Sequence, residues 1–210
     1  MQKGLFIAFE GIDGCGKSTQ LKLLCDALEK KGHKVYPTCE PTGSPIGSLI
    51  RDIFGHRMEA DHRVIAGLFV ADRLHHILNK TDGLLKKLEE GYTVVCDRYY
   101  LSSYAYQGVH MPLDWVIEAN SLSAALLKPD LHIFLDISPE ISMDRIQNGR
   151  NSVELYETRE NLQKVRDMYF KAMSRLEDKE VFFVTNGNRN QDDIARDIWS
   201  EVLFHLTQIQ

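Results

Sequence analysis

The sequence predicts an α/β protein built on a five-stranded, mostly parallel sheet, and three observations support this class. Five short apolar segments alternate with segments of helical periodicity, which is typical of a parallel sheet with helices on both faces. A glycine-rich loop follows the first apolar segment and opens a helix. An acidic and a basic residue follow the third apolar segment, at the edge where open α/β sheets bind ligands.

The predicted elements follow from hydrophobic periodicity. The strands are expected at residues 5–9, 34–38, 92–97, 130–137 and 181–185. The first helix carries Leu21, Leu24 and Leu28 on one face and ends before Gly32. The long connection between the second and third strands contains helical patterns at 63–78 and 83–90. The last helix, at 192–206, is amphipathic and is expected to close the sheet.

Length and composition limit the organisation of the chain. Its 210 residues fit one domain, 1–210, and the polar stretch at about 147–157 is interpreted as a short mobile lid between two helices. The net charge of -5 argues against sequence-independent nucleic-acid binding, which needs an excess of Lys and Arg. Four cysteines without CxxC spacing indicate a reducing compartment. No apolar stretch approaches the roughly 20 residues that span a membrane, so we expect a cytoplasmic protein.

The glycine-rich loop matches the pattern G-x-x-x-x-G-K-[ST] between a predicted strand and a predicted helix. Backbone N–H groups of such a loop converge on phosphate oxygens, helped by the partial positive charge of the helix N-terminus. We expect Lys17 to bridge the outer phosphates of a nucleoside triphosphate and the Ser18 hydroxyl to coordinate Mg²⁺. The expected phosphate-binding residues are Gly11, Ile12, Asp13, Gly14, Cys15, Gly16, Lys17, Ser18 and Thr19. A tight turn without function would not explain the Lys-Ser pair.

A phosphate loop alone does not distinguish a kinase from an ATPase, a GTPase or a transporter motor. The segment 79–82 fits N-K-x-D, the guanine-reading pattern of GTPases. In GTPases that pattern follows a buried strand, whereas here it follows Leu74, Ile77 and Leu78 at helical spacing and precedes Gly83. We therefore interpret it as the end of a helix.

Asp97 and Arg98 follow the third predicted strand, which should neighbour the strand before the phosphate loop. Asp97 is expected to hold Mg²⁺ or its waters. Arg98 is expected to form charge-assisted bonds to an acceptor phosphate. A surface ion pair is the structural alternative, but the position at the carboxyl end of a buried strand favours a functional one.

The chain resembles the thymidylate kinases from residue 6 to about residue 197. This resemblance implies a three-layer P-loop kinase fold, transfer of the γ-phosphoryl group of ATP to dTMP, Mg²⁺ as cofactor, and a homodimer. It also implies that the 186–189 segment passes the adenine ring. The segments that carry the resemblance are 9–13 with the phosphate loop, Glu40-Pro41, 68–73 (LFVADR), 97–99 (DRY), 102–108 (SSYAYQG), and 128–130 with 135–136.

The resemblance also assigns the acceptor site residue by residue. Phe69 would stack on thymine, Arg73 would contact a base carbonyl, and Arg98 would hold the dTMP phosphate. Ser103 would meet the base edge, Tyr106 would favour deoxyribose, and Asp13 would bind the 3′-hydroxyl. Taken singly, Phe69 is better explained as a core aromatic on an apolar helix face, and it is the joint spacing of these residues that favours the functional interpretation. The full expected dTMP site is Asp13, Glu40, Pro41, Phe69, Arg73, Arg98, Ser102, Ser103, Tyr106 and Gln107.

The source of the catalytic arginine is the main open question in the sequence. One subset of the family places it in the phosphate loop, where this chain has Gly14. The other subset supplies it from the lid, where this chain has Arg150, with Arg145 at the helix end just before it, and Leu155 stands where an arginine could be. We expect Lys17, Arg98, Arg150 and Arg145 to be the catalytic residues, with Arg150 ahead of Arg145.

Two alternative functions remain open at this point. One is a kinase for another nucleotide or nucleoside, and the other is a P-loop switch or ATPase.

Overall fold

The computed structural model describes residues 4–149 and 155–208. Within this part, five strands form one parallel sheet in the order β2-β3-β1-β4-β5. The strands are β1 (Phe6–Glu10), β2 (Val35–Cys39), β3 (Thr93–Asp97), β4 (Leu131–Asp136) and β5 (Phe182–Asn186). The predicted five-stranded parallel sheet is therefore confirmed, and each strand starts one residue later than expected from the pattern.

Helices make the connections between the strands. Those that precede β3 are α1 (Lys17–Lys30), α2 (Pro45–Phe54), α3 (His62–Leu78) and α4 (Leu84–Glu89). Those that follow β3 are α5 (Tyr100–Tyr106), α6 (Leu113–Ala119), α7 (Ser121–Leu126), α8 (Pro139–Gly149), α9 (Arg159–Leu176) and α10 (Gln191–Gln208). None of the helices among the described residues is long and apolar enough to cross a membrane.

Local signals explain where several helices begin. The hydroxyl of Ser44 accepts a hydrogen bond from Gly47 N, and Asp61 and Thr158 accept from the second and third N–H groups after them. Such side chains satisfy backbone donors that the first helical turn leaves unpaired. At its other end α3 stops at Leu78, and Asn79 accepts bonds from the next turn. The N-K-x-D segment is thus a helix end and not a base-binding loop.

The strand order positions the site. β1 lies between β3 and β4, so the phosphate loop after β1 meets the ends of both neighbours. Phe9 pairs with Asp97 and Glu10 pairs with Phe134, which brings three carboxyl ends to one edge. Because parallel crossovers are right-handed, the change of direction at β1 places α1 on one face and the connections that follow β2, β3 and β4 on the other. Contacts of α1 with α10, and of α5 with α9, agree with this division.

One main hydrophobic core runs through the sheet and draws residues from β1 to α10. Its central strands are buried on both faces, which is why they read as continuous apolar runs and not as alternating ones. A smaller cluster of Ile50, Ile53, Ile65 and Phe69 joins α2 to α3. This second cluster fixes the long connection that follows β2 beside the edge where the strands end.

The predicted lid is only partly within the described residues. Positions 147–149 form the last turn of α8, so the start of the predicted lid is helical and not an irregular flap. Residues 155–158 form a turn that leads into α9. Residues 150–154, including the candidate catalytic Arg150, lie outside the described residues.

Candidate functional site

A cavity of about 1380 Å³ opens at the carboxyl edge of the sheet and collects most of the predicted site residues. It extends from the phosphate loop to α2, α3 and α5, and to the loop that follows β5. The predicted residues that line it are 13–19, Glu40, Pro41, Phe69, Arg73, Asp97, Arg98, Ser102, Ser103, Tyr106, Gln107 and Arg145. One surface therefore joins the phosphate loop and the predicted acceptor residues.

Gly11 and Ile12 lie beneath the cavity and not on its wall. The Lys17 ammonium donates to the carbonyl oxygen of Gly11 at 3.0 Å and to that of Ile12 at 3.1 Å. Its side chain is buried, so these carbonyls satisfy a charge that would otherwise be costly to bury. The loop thus holds its lysine at the base of the cavity, within reach of a bound phosphate.

Gly14 is required by the packing of α8 against the loop. Its φ is +71°, and a Cβ built there would lie 2.8 Å from the carbonyl oxygen of Ser142. The Ser142 hydroxyl also donates to the carbonyl oxygen of Asp13 at 2.6 Å. An arginine could not occupy this position without displacing backbone. The absence of an arginine from the phosphate loop therefore has a structural cause in α8.

Ser18 and Asp97 form the pair predicted for a metal ion. The Ser18 hydroxyl donates to Asp97 Oδ2 at 2.9 Å, which joins the start of α1 to the end of β3. The other carboxylate oxygen, Asp97 Oδ1, is buried and has no hydrogen-bond partner among the described residues. A hydroxyl beside a carboxylate with an unsatisfied oxygen is a donor set that Mg²⁺ accepts. The residues present therefore fit the ion.

Arg98 contacts both Asp13 of the phosphate loop and Tyr106 of α5. Its Nη2 lies 2.5 Å from Asp13 Oδ1, and Asp13 Oδ2 accepts from the Tyr106 hydroxyl at 2.7 Å. The guanidinium also lies over the Tyr106 ring, 4.9 Å from its centroid. Burial by itself would raise the pKa of Asp13, but the charges of Arg98 and Lys17 outweigh it and hold this pKa below its ordinary value. Asp13 is consequently an ionised carboxylate at neutral pH.

Arg73 is fixed by a buried ion pair. Its Nη2 lies 2.7 Å from Glu40 Oε2, and its Nη1 donates to Asn120 Oδ1. His76 Nδ1 lies 3.1 Å from the other Glu40 oxygen and its Nε2 lies 2.8 Å from the hydroxyl of Thr38. Glu40 therefore contacts both Arg73 and His76. These contacts hold the Arg73 side chain in a fixed position in the cavity wall.

The loop after Glu40 is held by a second buried carboxylate. The Glu40-Pro41 peptide is cis, and Asp72 accepts from Thr42 N at 2.7 Å, from Thr42 Oγ1 at 2.6 Å and from Ser44 Oγ at 2.8 Å. Arg51 adds a bond to the carbonyl of Pro41 at 3.0 Å. Glu40 and Pro41 are thereby held against α3 on the acceptor side of the cavity.

Three predicted residues offer the cavity an aromatic face and polar atoms. Phe69 is 9% exposed, lines the cavity and packs against Phe54 with ring centroids 5.9 Å apart. It is therefore both a core aromatic and a wall residue. Ser103 Oγ and Gln107 Oε1 are buried without a hydrogen-bond partner among the described residues. A base with polar edges would satisfy such atoms.

Ser102 and Arg145 line the cavity but donate hydrogen bonds to neighbouring protein groups. The Ser102 hydroxyl donates to Glu10 Oε2 at 2.5 Å, behind Arg98. Arg145 donates to the carbonyls of Gly14 and Cys15 at 3.4 Å and to that of Gly187 at 3.1 Å. Arg145 thus ties the phosphate loop to the segment after β5, on the side of the cavity away from Arg73.

Several site residues were missed by the sequence analysis. Gln20, Arg51 and Tyr156 line the cavity, and the buried Oε1 of Gln20 has no hydrogen-bond partner within the part of the chain that the structure describes. Tyr169 lies on the buried face of α9, where apolar periodicity alone marks it as core, and Asn120 lies between two short helices. Among these residues, only Tyr156 had a sequence feature that pointed to the site, because it lies in the predicted lid segment.

A glycine-rich loop between a central parallel strand and a helix, facing an arginine at the end of the neighbouring strand, defines a P-loop nucleotide kinase fold. The family model for thymidylate kinase matches residues 9–198. The chain is 40% identical over 190 residues to a thymidylate kinase of Caldicellulosiruptor saccharolyticus, covering 88% of this chain and 90% of that protein. It is 39% identical over 210 residues to a probable thymidylate kinase of Pyrococcus horikoshii, covering 97% and 98%. The chain belongs to the thymidylate kinase family.

Proposed function

We infer that this protein transfers the γ-phosphoryl group of ATP to dTMP and releases dTDP and ADP. One observation carries this inference: in a member of the thymidylate kinase family, the phosphate loop and Arg98 line the same cavity. The donor phosphates and the acceptor phosphate can therefore meet between two positively charged side chains, Lys17 and Arg98.

The chemistry needs charge and position more than a proton acceptor. A phosphate monoester has a second pKa of about 6, so the acceptor is largely dianionic at neutral pH and its oxygen attacks without a general base. The obstacle is the repulsion between two anions that must align. Lys17 offsets the charge of the donor phosphates and Arg98 that of the acceptor, and both are held by carbonyl oxygens or a carboxylate before substrate arrives.

Ser18 and Asp97 are the residues that we propose to hold Mg²⁺. When bound, this ion would supply further positive charge to the phosphate oxygens of ATP. The other expected phosphate contacts come from the backbone N–H groups of residues 13–19, which line the cavity. Their convergence depends on the glycines, as the positive φ at Gly14 and Gly16 illustrates.

The acceptor nucleoside is proposed to lie against α3 and α5. Phe69 would cover the face of thymine, and Arg73, Ser103 and Gln107 would meet its polar edge. Support for this comes from the fixed Arg73 guanidinium and from the unsatisfied atoms of Ser103 and Gln107. A buried polar site of this kind rejects a base that leaves its groups unpaired.

Asp13 and Tyr106 are proposed to contact the sugar. Asp13 would accept from the 3′-hydroxyl, and the Tyr106 ring would crowd the 2′ position. Burial raises the pKa of the Tyr106 hydroxyl well above its ordinary value, so it remains a donor to Asp13. The pair therefore presents a carboxylate beside a rigid ring.

The lid is proposed to supply the remaining catalytic charge. Gly14 gives none, and Ser142 occupies the space that a side chain there would need. Arg150 therefore remains our candidate for the arginine that contacts the transferring group. Arg145 would support catalysis by holding the phosphate loop, as its bonds to Gly14 and Cys15 suggest.

We also propose a homodimer that forms through α3. A stripe of exposed apolar or small residues follows this helix at helical spacing: Val64, Gly67, Ala71 and Leu78. Leu122 on α7, a helix packed against α3, is 57% exposed. An apolar stripe of this kind is typical of an interaction face.

The single-domain organisation over residues 1–210 is likewise proposed, supported by the one main core cluster. A cytoplasmic location agrees with four cysteines that are all free. ATP and dTMP are the proposed partners in the reaction.

The decisive experiment measures ADP release with Mg·ATP and, in turn, no acceptor, dTMP, dUMP, dCMP, dGMP and dAMP. We expect release that depends on an acceptor and is fastest with dTMP. Strong release without an acceptor would favour an ATPase or switch. Faster release with another monophosphate would contradict the assignment of dTMP. A Lys17→Ala variant, prepared in the same way, controls for contaminating kinases, because it removes the loop charge.

A further inference from the structure

Tyr169 of α9 is fully buried and reaches the groups behind Arg98. Its hydroxyl oxygen lies 2.7 Å from Ser102 Oγ, 3.2 Å from Glu10 Oε2 and 3.4 Å from the carbonyl oxygen of Gly11. Arg98 Nη1 donates to the same hydroxyl oxygen at 3.3 Å. One side chain from α9 therefore contacts the start of the phosphate loop and the proposed acceptor arginine.

The proton positions in this cluster follow from the donors available. Ser102 has one hydroxyl proton and donates it to Glu10 Oε2 at 2.5 Å. With that proton engaged, Tyr169 is the donor in this cluster, and its one proton goes to Ser102 Oγ at 2.7 Å, to Glu10 Oε2 at 3.2 Å or to the carbonyl oxygen of Gly11 at 3.4 Å. Burial raises the pKa of Tyr169 well above its ordinary value, so this proton is retained. The oxygen lone pairs of Tyr169 are then directed to Arg98.

The remaining contacts hold the two edges of the guanidinium in different ways. Nη2 faces the carboxylate of Asp13 and also donates to the Tyr106 hydroxyl at 3.2 Å, whereas Nη1 has neutral acceptors alone: the carbonyl of Gly11 and the hydroxyls of Ser102 and Tyr169. Neutral acceptors orient an arginine without cancelling its charge. The hydroxyl of Tyr169 is the one among them that is carried by a helix outside the β1-to-α5 region.

The Tyr169 ring is itself immobilised by packing. It lies 5.0 Å from the ring of Phe134 on β4 and is perpendicular to Tyr106 at 6.2 Å. Such contacts leave the hydroxyl one location, between Glu10 and Arg98. The position of α9 thereby determines where this hydroxyl lies beside the proposed acceptor site.

We propose that Tyr169 is a positioning residue that sets the place of the Arg98 guanidinium for the acceptor phosphate and couples α9 to the acceptor site. This proposal rests on the proposed function, because it takes Arg98 to hold the phosphate of the acceptor. It predicts that loss of the hydroxyl weakens acceptor binding and leaves ATP binding in place.

The test compares Tyr169→Phe with Tyr100→Phe in steady-state kinetics. Tyr100 is a matched control: it is fully buried like Tyr169, but its hydroxyl donates to the carboxylate of Glu180 at 2.8 Å and not to the groups around Arg98. We expect Tyr169→Phe to raise the KM for dTMP between about twofold and tenfold, the factor that one net hydrogen bond supplies. The KM for ATP should stay within about twofold, and Tyr100→Phe should change neither constant.

Thermal unfolding of both variants separates positioning from general loss of stability. Both should lose a similar amount of stability, while only Tyr169→Phe changes dTMP kinetics. Equal rises in the KM for ATP and dTMP, or the same kinetic effect from Tyr100→Phe, would overturn the proposal. So would an unchanged KM for dTMP in Tyr169→Phe.

An Arg98→Ala background gives a second test. There the Tyr169→Phe change should reduce kcat/KM for dTMP no further, because the group that it positions is absent. An additional loss of the same size as in the parent protein would contradict the proposal. If the parent protein does not phosphorylate dTMP at all, the proposed function fails first, so the two failures are distinguishable.

Discussion

Arg98 Nη2 and Asp13 Oδ1 lie 2.5 Å apart, which joins the end of β3 to the phosphate loop through an ion pair. The Arg98 backbone has a φ of +70°, a left-handed conformation that non-glycine residues seldom adopt. The chain accepts this conformation where the guanidinium must turn back to the loop. Arginine geometry and loop geometry are thus set together.

Arg98→Ala should raise the KM for dTMP by about 100-fold, because two charge-assisted bonds to the acceptor phosphate are lost. The dissociation constant for ATP, measured by calorimetry, should change by no more than about twofold. Arg175→Ala is a suitable control, since Arg175 pairs with Asp114 on the surface. Equal loss of ATP and dTMP binding would instead make Arg98 a residue of the fold.

Ser18→Ala should increase the Mg²⁺ concentration required for half-maximal activity by about tenfold, because an oxygen ligand is lost from a site that Asp97 shares. The measurement is a magnesium titration at saturating ATP and dTMP. Ser200→Ala serves as control, since that hydroxyl bonds its own helix backbone. An unaltered magnesium requirement would remove Ser18 from the proposed metal site.

Arg150 of the predicted lid and Arg145 of α8 should give different kinetic losses. Arg150→Ala is expected to lower kcat by about 10² to 10³ with little change in either KM, as removal of a transition-state contact does. Arg145→Ala should mainly raise the KM for ATP, because Arg145 holds the carbonyls of Gly14 and Gly187. A fall in kcat confined to Arg145→Ala would reverse these assignments.

Glu10→Gln should change how stability depends on pH. Burial raises the pKa of Glu10 above its ordinary value, so the folded state binds this proton more tightly than the unfolded state does. The stability that this bound proton adds to the folded state is fully present below about pH 4.5, and it is lost as pH rises through the raised folded pKa of Glu10. Urea unfolding of the parent protein from pH 4.5 to 8 should show this decline.

In Glu10→Gln that decline should be absent, so the gap in unfolding free energy between parent and variant narrows as pH rises. The reason is that glutamine has no proton to lose at this position. Parallel pH curves for the two proteins would show that Glu10 keeps an ordinary pKa in the folded state.

Ala71→Glu should convert the proposed dimer to a monomer, because it places a charge in the apolar stripe of α3. Analytical ultracentrifugation across a concentration series measures the effect. Phe204→Glu provides a control, since Phe204 is 59% exposed on α10, a helix that packs against α1 and β5. A monomeric parent protein, or dissociation by the control, would contradict an interface on α3.

The sequence by itself determined the parallel sheet, the phosphate loop and the helix-end interpretation of the N-K-x-D segment. These features depend on periodicity and on short motifs, whose physical causes act within a few residues of the chain. Most of the residues expected around the ligands do line one cavity, because strand ends in a parallel sheet share an edge. The local sequence pattern was therefore sufficient to predict which residues meet at this edge.

Only the tertiary structure decided what holds those residues in place. Ser142 of α8 explains Gly14, and Glu40 and Asn120 each accept a hydrogen bond from Arg73 and so fix it. Tyr169 contacts Glu10 across 159 positions of sequence. A buried tyrosine, asparagine or serine has no local signature, since its role depends on which distant groups the packing brings to it. The resemblance could assign residues to the ligands, but the supports behind them depend on how the chain packs.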